Sequence, residues 1–339
     1  MPRISSKRGQ GELAILETIR NRAKSGSRGG VRLGIGDDCA IVKVRSGEEL
    51  TVTTDLSIAG RHFRLDWHPP EAVGHRTLAR GLSDLAAMGA RPVAAFLSLG
   101  LPRELTQAEG RRRPWVERFF DGLFALADLH NAPLAGGDLA ESPVALADIV
   151  LVGAVPRGKA LLRSGARPGD LLYVTGRLGG AAAGLARLAG LSRLKSFHPG
   201  RIADKFMPSL APHFYPQPRI AQGQWLRRSG VVTAALDISD GLSTDLAHLC
   251  EESGVGAEVN ASLLPRHDGA SLDQALHGGE DYELLFSARP TARLPRVLAG
   301  VSVTKIGQIV NLRRSHPAVT LIADEGRQNL VPRGWEHFG

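Results

Sequence analysis

Residues 71–99 read EAVGHRTLARGLSDLAAMGARPVAAFLSL, and this stretch decides the class of fold. Leu78, Leu82 and Leu85 recur near helical spacing, so Glu71–Met88 reads as a helix with one apolar stripe. Val93–Leu99 is a short apolar run that reads as a strand.

The same alternation continues outward on both sides. Upstream, Gly11–Ala23 carries Leu13, Leu16 and Ile19 near helical spacing, and Ile41–Val44 and Leu50–Thr54 read as strands around a turn at Ser46-Gly47. Downstream, Pro114–His130 reads as a helix, with proline tolerated in its first turn, and Val144–Val155 as a strand. A break follows at Pro156-Arg-Gly. The second half repeats the style, with strands at Leu171–Val174, Val232–Ile238, Tyr282–Ala288 and Val301–Ile309. Its helices fall at Ala181–Leu188, Ile220–Arg228 and Leu242–Glu252, and Ser192–Pro218 reads as loop or short irregular helices. The expected fold is α/β (α+β), with two mixed domains at 1–155 and 156–339.

The chain has 339 residues, of which 43% are hydrophobic and 22% charged, which excludes a disordered chain, a collagen and a coiled-coil rod. Aromatics at 5% argue against a protein that stacks many bases. Cys39 and Cys250 cannot build a disulfide framework or a thiolate zinc site, and they suit a reducing compartment. The basic N-terminus is followed by no apolar signal segment, and the longest apolar run, Ala145–Val155, is interrupted by Asp148 and too short to span a bilayer. A cytoplasmic protein without a membrane partner is expected. The formal charge of +8 invites a nucleic-acid partner, but only 7 of the 42 basic residues are Lys, which a general Arg bias produces unaided. The dense run Arg111-Arg112-Arg113 reads as a solvated helix face.

Acidic residues recur beside Gly, Ser or Thr. Asp37 and Asp38 lie in Gly34-Ile-Gly-Asp-Asp, Asp55 in Thr53-Thr-Asp, Asp84 in Leu82-Ser-Asp-Leu, and Asp138 in Ala135-Gly-Gly-Asp. Asp237 and Asp240 frame Asp237-Ile-Ser-Asp-Gly-Leu, and Glu280 and Asp281 follow Gly278-Gly. An Asp beside Gly is usually a turn or cap residue. The set is less ordinary, because Asp55, Asp138 and Asp237 each follow an apolar strand, and strand ends are where sites form in α/β folds. Asp84 lies within an apolar helical run and reads as partly buried. If these carboxylates converge, two of them 4 Å apart repel by roughly 4 kcal/mol at an effective dielectric near 20, so they require counter-charge. Oxygen ligands select hard Mg²⁺ or Mn²⁺, which is usually shared with substrate phosphates.

Gly136-Gly137 would let the backbone approach a phosphate, and Gly176-Arg-Leu-Gly-Gly leads into a helix start that can hold an anion. A P-loop, a dinucleotide fingerprint, kinase catalytic-loop signatures and a nucleophile elbow are all missing from the sequence. Arg163 can fork onto a phosphate, His62 can orient a substrate, and Trp335 can stack on a flat ring; a surface Arg, a packed His and a core aromatic are the plainer readings.

In order along the chain, Gly-Ile-Gly-Asp-Asp, Thr-Thr-Asp, Gly-Arg-His-Phe, Leu-Ser-Asp-Leu-Ala-Ala-Met-Gly-Ala, Gly-Gly-Asp, Arg-Ser-Gly-Ala-Arg-Pro-Gly-Asp, Asp-Ile-Ser-Asp-Gly-Leu, Gly-Gly-Glu-Asp-Tyr-Glu-Leu and Gly-Trp-Glu-His-Phe resemble the motifs of thiamine-monophosphate kinases. The resemblance covers nearly the whole chain. It implies the aminoimidazole-ribonucleotide-synthetase-like ATP-binding superfamily, with two α/β domains. The N-terminal domain would bind ATP and Mg²⁺ and dimerise through sheets that pair into a barrel. The C-terminal domain would complete the nucleotide and substrate site. The implied reaction is ATP-dependent phosphorylation of thiamine monophosphate to thiamine diphosphate, the last step of that cofactor's synthesis, by direct in-line transfer.

Carried over by motif, Asp38, Thr53, Thr54, Asp55, Asp84, Asp138, Asp237 and Asp240 would bind several Mg²⁺ ions. Gly137, Asp138, Arg163 and Ser239 would touch ATP, and His62, Glu280 and Trp335 would face thiamine monophosphate. The acceptor is a phosphate oxygen already ionised at pH 7, so no catalytic base is expected. The segment Leu56-Ser-Ile-Ala-Gly-Arg-His-Phe departs from the family's commoner pattern, which leaves Ser57 and Arg61 without a role. Two alternatives stand beside this reading. One is another ATP-using member of the superfamily, such as a selenophosphate synthetase, a purine synthetase or a hydrogenase-maturation protein. The other is a basic, non-catalytic nucleotide- or nucleic-acid-binding module.

Overall fold

A computed structural model of the chain describes residues 12–25, 29–108, 110, 112–199, 202, 204–312 and 318–334. Contacts divide the chain into two compact units. The first is Met1–Ser46, Val52–Gly81 and Pro92–Gly153; the second is Gly47–Thr51, Leu82–Arg91 and Ala154–Gly339.

The first unit holds, wholly or mainly, α1 (Glu12–Ser25), β1 (Val31–Leu33), β2 (Ile41–Val42), β3 (Glu48–Ile58), α2 (Pro70–Ala87), β4 (Arg91–Leu101), α3 (Trp115–His130), β5 (Leu134–Glu141) and β6 (Leu146–Pro156). Its main sheet runs β3-β6-β4-β5, with β4 and β5 parallel. The stripe read from the sequence is the buried one: Leu78, Leu82 and Leu85 of α2 are at most 1% exposed. Helices α2 and α3 approach closely at two glycines. A Cβ on Gly74 would strike the Phe119 carbonyl, and one on Gly122 the Glu71 carbonyl. Arg118 then forks onto Glu71 at 2.7 and 2.8 Å across the same contact.

Strand β3 alternates. Thr51 and Ser57 are buried with Thr53 and Asp55 half-buried, while Leu50, Val52, Thr54 and Leu56 are exposed. The strand extends to Ile58, so Asp55 stands inside it, and Asp138 stands inside β5. Of the three acids read as strand ends, only Asp237 ends its strand. The sequence reading stopped the first of the other two strands at Thr54 and gave the one around Asp138 no bounds, although each ladder carries on through its acid.

The second unit contains β7 (Leu171–Thr175), α4 (Gly180–Leu191), α5 (Met207–Phe214), α6 (Ile220–Ser229), β8 (Val232–Asp237), α7 (Leu242–Ser253), β9 (Gly256–Asn260), α8 (Leu272–His277), β10 (Leu284–Ala288), β11 (Val297–Leu298), β12 (Val301–Val310), β13 (Val319–Ala323) and β14 (Gly326–Asn329). The sheet order is β14-β13-β9-β12-β7-β10-β8, and β11 pairs with β12. Neighbours are antiparallel except β13 and β9. Leu172, Val174, Leu236 and Leu285 of this sheet pack with Leu246 and Leu249 of α7 in one core. The stretch 192–218 holds a 3₁₀ turn at Asp204–Phe206 and α5, which contains Pro212. No helix among the described residues is long and apolar enough to cross a membrane.

Candidate functional site

In the first unit a cavity of about 370 Å³ gathers three of the candidate site residues: Asp38, Gly137 and Asp138. Leu16 and Ile19 of α1, with Phe96 and Phe120, supply an apolar wall, and Asp37 also lines the cavity. Gly137 has φ +149°, and a Cβ there would run into the Leu97 carbonyl, so only glycine lets β5 lie this close to β4. Asp138 Oδ1 accepts the Leu139 N–H at 2.9 Å, and Asp37 Oδ1 accepts the Asp38 N–H at 2.9 Å. Asp38 and Asp138 are both exposed.

The Thr53-Thr-Asp motif is divided by the pleat of β3. Thr53 and Asp55 share one face, where Asp55 lies 3.4 Å from the Arg80 guanidinium of α2; Thr54 shows its side chain on the opposite, open face. His62 follows β3. Its Nδ1 accepts the Ile58 N–H at 3.0 Å, and its carbonyl accepts from Arg76 at 3.3 Å, so this ring is tied to its own turn.

In the second unit the acids are held from inside. Asp84 is half-buried on α2, as its apolar setting implied. Its neighbour Ser83 donates its hydroxyl to Asp237 Oδ2 at 2.6 Å, and both residues are buried. The segment Ser239-Asp240-Gly241 enters α7 with all three N–H groups aimed at one oxygen, Asp245 Oδ2, each at 3.0 Å. Burial, followed by the nearby Asp240 charge, pushes the Asp245 carboxyl up to about 7 against the pull of those three donors.

Glu280 and Tyr282 both adopt the left-handed backbone region, at φ +67° and +51°. The acids beside them fix this turn. Asp281 accepts the N–H groups of Gly179 and Ala181 at 2.5 and 3.1 Å, at the start of α4, and burial pushes it up to about 7. Glu283 accepts the Thr175 hydroxyl at 2.7 Å and the Arg219 guanidinium through both oxygens. Glu280 lies 3.9 Å from the buried His213 ring. Its N–H donates to the Ser239 carbonyl at 2.7 Å, which ties the two motif loops together. Arg163 is exposed between β6 and β7, and its carbonyl accepts from Ser253 at 3.0 Å. Trp335 lies outside the described residues; Gly334 before it donates to Thr244 Oγ1 at 3.0 Å.

Sequence reasoning passed over Ser83, Arg219, Asp245 and Glu283. Among the described residues no three His, Cys, Asp or Glu side chains stand close enough together to hold a metal ion. The candidate acids supply hard oxygen donors singly or beside one another. That suits Mg²⁺ whose shell is completed by phosphates and water, and does not suit a preformed protein cage.

Two family models match this sequence. AIR synthase related protein, N-terminal domain, covers residues 36–155, and AIR synthase related protein, C-terminal domain, covers 167–319. The thiamine-monophosphate kinase of Salmonella typhimurium is 40% identical, over 97% of this chain and 98% of that protein. The chain belongs to the thiamine-monophosphate kinase family. Its fold is therefore two mixed α/β domains of the AIR-synthase type. Solved members of the thiamine-monophosphate kinase family match most of the chain. The crystal structure from Stenotrophomonas maltophilia K279a has 35% identity and a TM-score of 0.76, covering 93% of this chain and 97% of that one. A second solved structure, AaThiL complexed with AMPPCP and TMP, has 30% identity and a TM-score of 0.73 over 97% of each chain.

Proposed function

We propose that this chain transfers the terminal phosphoryl group of ATP to thiamine monophosphate, giving ADP and thiamine diphosphate. The observation that carries the reading is full-length likeness: 40% identity to a thiamine-monophosphate kinase across both domains. A neighbour of 30% identity holds AMPPCP and TMP, which supports ATP as co-substrate and thiamine monophosphate as acceptor. The other superfamily chemistries and a non-catalytic module are not favoured.

The residue roles follow the motifs. Asp38, Thr53, Asp55 and Asp138 of the first unit, and Asp84, Asp237 and Asp240 of the second, are proposed to hold Mg²⁺, with Thr54 contributing its backbone. Bound Mg²⁺ would neutralise the phosphate charges that otherwise repel an anionic acceptor. Gly137 with Asp138, Arg163 and Ser239 are proposed to touch ATP, and His62, Glu280 and Trp335 to touch thiamine monophosphate. The chain's own part is positioning. Arg80 holds Asp55 by its charge, and Gly137, where a Cβ would strike the Leu97 carbonyl, lets β5 carry Asp138 close against β4. No side chain is asked to remove a proton, because the attacking phosphate oxygen is already ionised.

The proposed assembly is a homodimer in which the open face of the N-terminal sheet is covered by its copy as a barrel. Support comes from β3, where Leu50, Val52 and Leu56 stand 50%, 63% and 44% exposed in one row. The proposed location is the cytoplasm, which the two free cysteines suit. The deciding assay mixes ATP, Mg²⁺ and thiamine monophosphate. Thiamine diphosphate with one equivalent of ADP is the expected product; release of AMP instead would refute a kinase.

A further inference from the structure

Three consecutive backbone N–H groups at the entrance to a helix are a place where a phosphate settles. The segment Ser239–Gly241 has that form, ahead of the twelve-residue helix α7. The place is already taken. Asp245 Oδ2 receives all three N–H groups at 3.0 Å, and the residue is only 3% exposed. A phosphate arriving there would have to displace the buried Asp245 carboxyl from all three N–H groups.

The loop is fixed on its other side as well. The Ser239 carbonyl accepts the Glu280 N–H at 2.7 Å, the Ile238 carbonyl accepts the Tyr282 N–H at 2.9 Å, and the Ile238 N–H donates to the Glu283 carbonyl at 2.8 Å. With its amides turned inward, what the loop has left to offer a ligand is oxygen: the Ser239 hydroxyl and the Asp240 carboxylate. An ionised carboxylate faces cations, not phosphates, and the hydroxyl oxygen can join it on the cation.

We propose that Asp245 is the positioning residue of this loop: by filling the amide nest it makes Ser239 and Asp240 an oxygen-donor, cation-facing contact and denies the same backbone to phosphate. The assignment rests on the proposed function, in which Ser239 and Asp240 serve Mg²⁺ and ATP. It goes further in saying which half of the magnesium nucleotide meets this loop, and which residue outside the motif decides that.

The test uses the full chain and three variants, Asp245→Ala, Asp245→Asn and Asp240→Asn, each checked for folding by circular dichroism. Calorimetry measures AMPPCP binding across a Mg²⁺ series, and inorganic phosphate binding without Mg²⁺. Asp245→Ala is expected to weaken Mg²⁺-dependent AMPPCP binding by about 10- to 100-fold, the usual cost of losing a group that orients ligands from behind. It is also expected to gain phosphate binding that the parent lacks, because the amides are vacated. Asp245→Asn keeps one oxygen that accepts N–H bonds, so it should recover part of the Mg²⁺ dependence. A merely structural role would lower the melting temperature without this exchange of cation preference for anion preference.

A folded Asp245→Ala with the parent's Mg²⁺ series and no phosphate binding overturns the proposal. Where Asp245→Ala does not fold, Asp245→Asn decides by the same two measurements, with behaviour identical to the parent counting against it. Asp240→Asn separates the two layers. If it binds Mg²⁺ and AMPPCP as the parent does, the functional reading of the loop fails; if it is impaired while Asp245→Ala is not, only the positioning role fails.

Discussion

The two units treat the same residue type in opposite ways. In the first, Asp38 and Asp138 are exposed beside a cavity, and Asp55 is paired with Arg80 at 3.4 Å. In the second, Asp245 and Glu283 are buried and locked by three amides, and by a hydroxyl with a guanidinium. An acid that accepts every bond it can from its own chain is scaffold; one left at a rim is available to a ligand. On this contrast, the acids of the first unit are expected to act mainly on turnover and Asp245 and Glu283 of the second mainly on stability, with Asp84, Asp237 and Asp240 as the second unit's proposed ligands.

The largest expected effect is on turnover. Asp138→Asn and Asp84→Asn should each lower kcat by about 10²- to 10³-fold, the scale for removing a charge-stabilising group, with little change in melting temperature. Steady-state kinetics beside a thermal melt checks this, and near-normal turnover in either variant would take that residue out of the mechanism. Next is Glu283→Ala, which strips the Arg219 guanidinium of its carboxylate; their side chains are 19% and 4% exposed for Arg219 and Glu283. Breaking such a pair on one side costs about 3–5 kcal/mol, read by urea unfolding, while Glu283→Leu with Arg219→Met should restore most of it. An unmoved unfolding midpoint in Glu283→Ala would show that this carboxylate is not scaffold.

A smaller change in stability, with a plain readout in mass, is expected of Val52→Asp. Val52 is 63% exposed, so the substitution should alter stability by only about 0.5 kcal/mol. A charge in that row should halve the molar mass in light scattering; an unchanged dimer mass would move the interface elsewhere.

The pH effects differ in sign between the units. Burial, helped by the neighbouring His75 charge, pulls His130 of the first unit from 6.5 down to about 4. The unfolded chain then binds the extra proton, so this contribution is complete above pH 6.5 and is lost as pH falls toward 4. Asp281 of the second unit is raised to about 7, so its contribution is complete below the unfolded value near 3.8 and is lost as pH rises toward 7. His130→Asn should flatten the first slope and Asp281→Asn the second, measured as differences from the parent in urea midpoints between pH 4 and 7.

The helices and strands that carry an uninterrupted apolar period were legible: α2 with Leu78, Leu82 and Leu85, β4, and α7. Strand β9 and the β13–β14 hairpin at the far edge of the second sheet were not read, because each is four or five residues long and presents no period to count. The grouping of Gly47–Thr51 and Leu82–Arg91 with the second unit was also beyond reach, because a linear break such as Pro156-Arg-Gly marks a change along the chain and not a division in space. The motif acids were legible through their glycine and serine neighbours. Their supports were hidden for the same reason: Asp245 sits in Ser-Thr-Asp-Leu-Ala and Glu283 in Asp-Tyr-Glu-Leu-Leu, inside a helix and before a strand, with no glycine at hand. One signal for Asp245 was present. An Asp in the first turn of a helix that follows Ser-Asp-Gly can reach back to the free amides.

The backbone at Glu280 and Tyr282 has a consequence for anyone who engineers this chain. A left-handed backbone costs an L residue of this size roughly 1 kcal/mol, which glycine avoids. A heat-challenge selection run without a turnover assay would therefore favour glycine at 280, though not at 282, where the buried Tyr side chain outweighs the strain, and would return hardier proteins lacking the carboxylate proposed to meet the vitamin. Libraries aimed at thermal tolerance should hold codon 280 fixed.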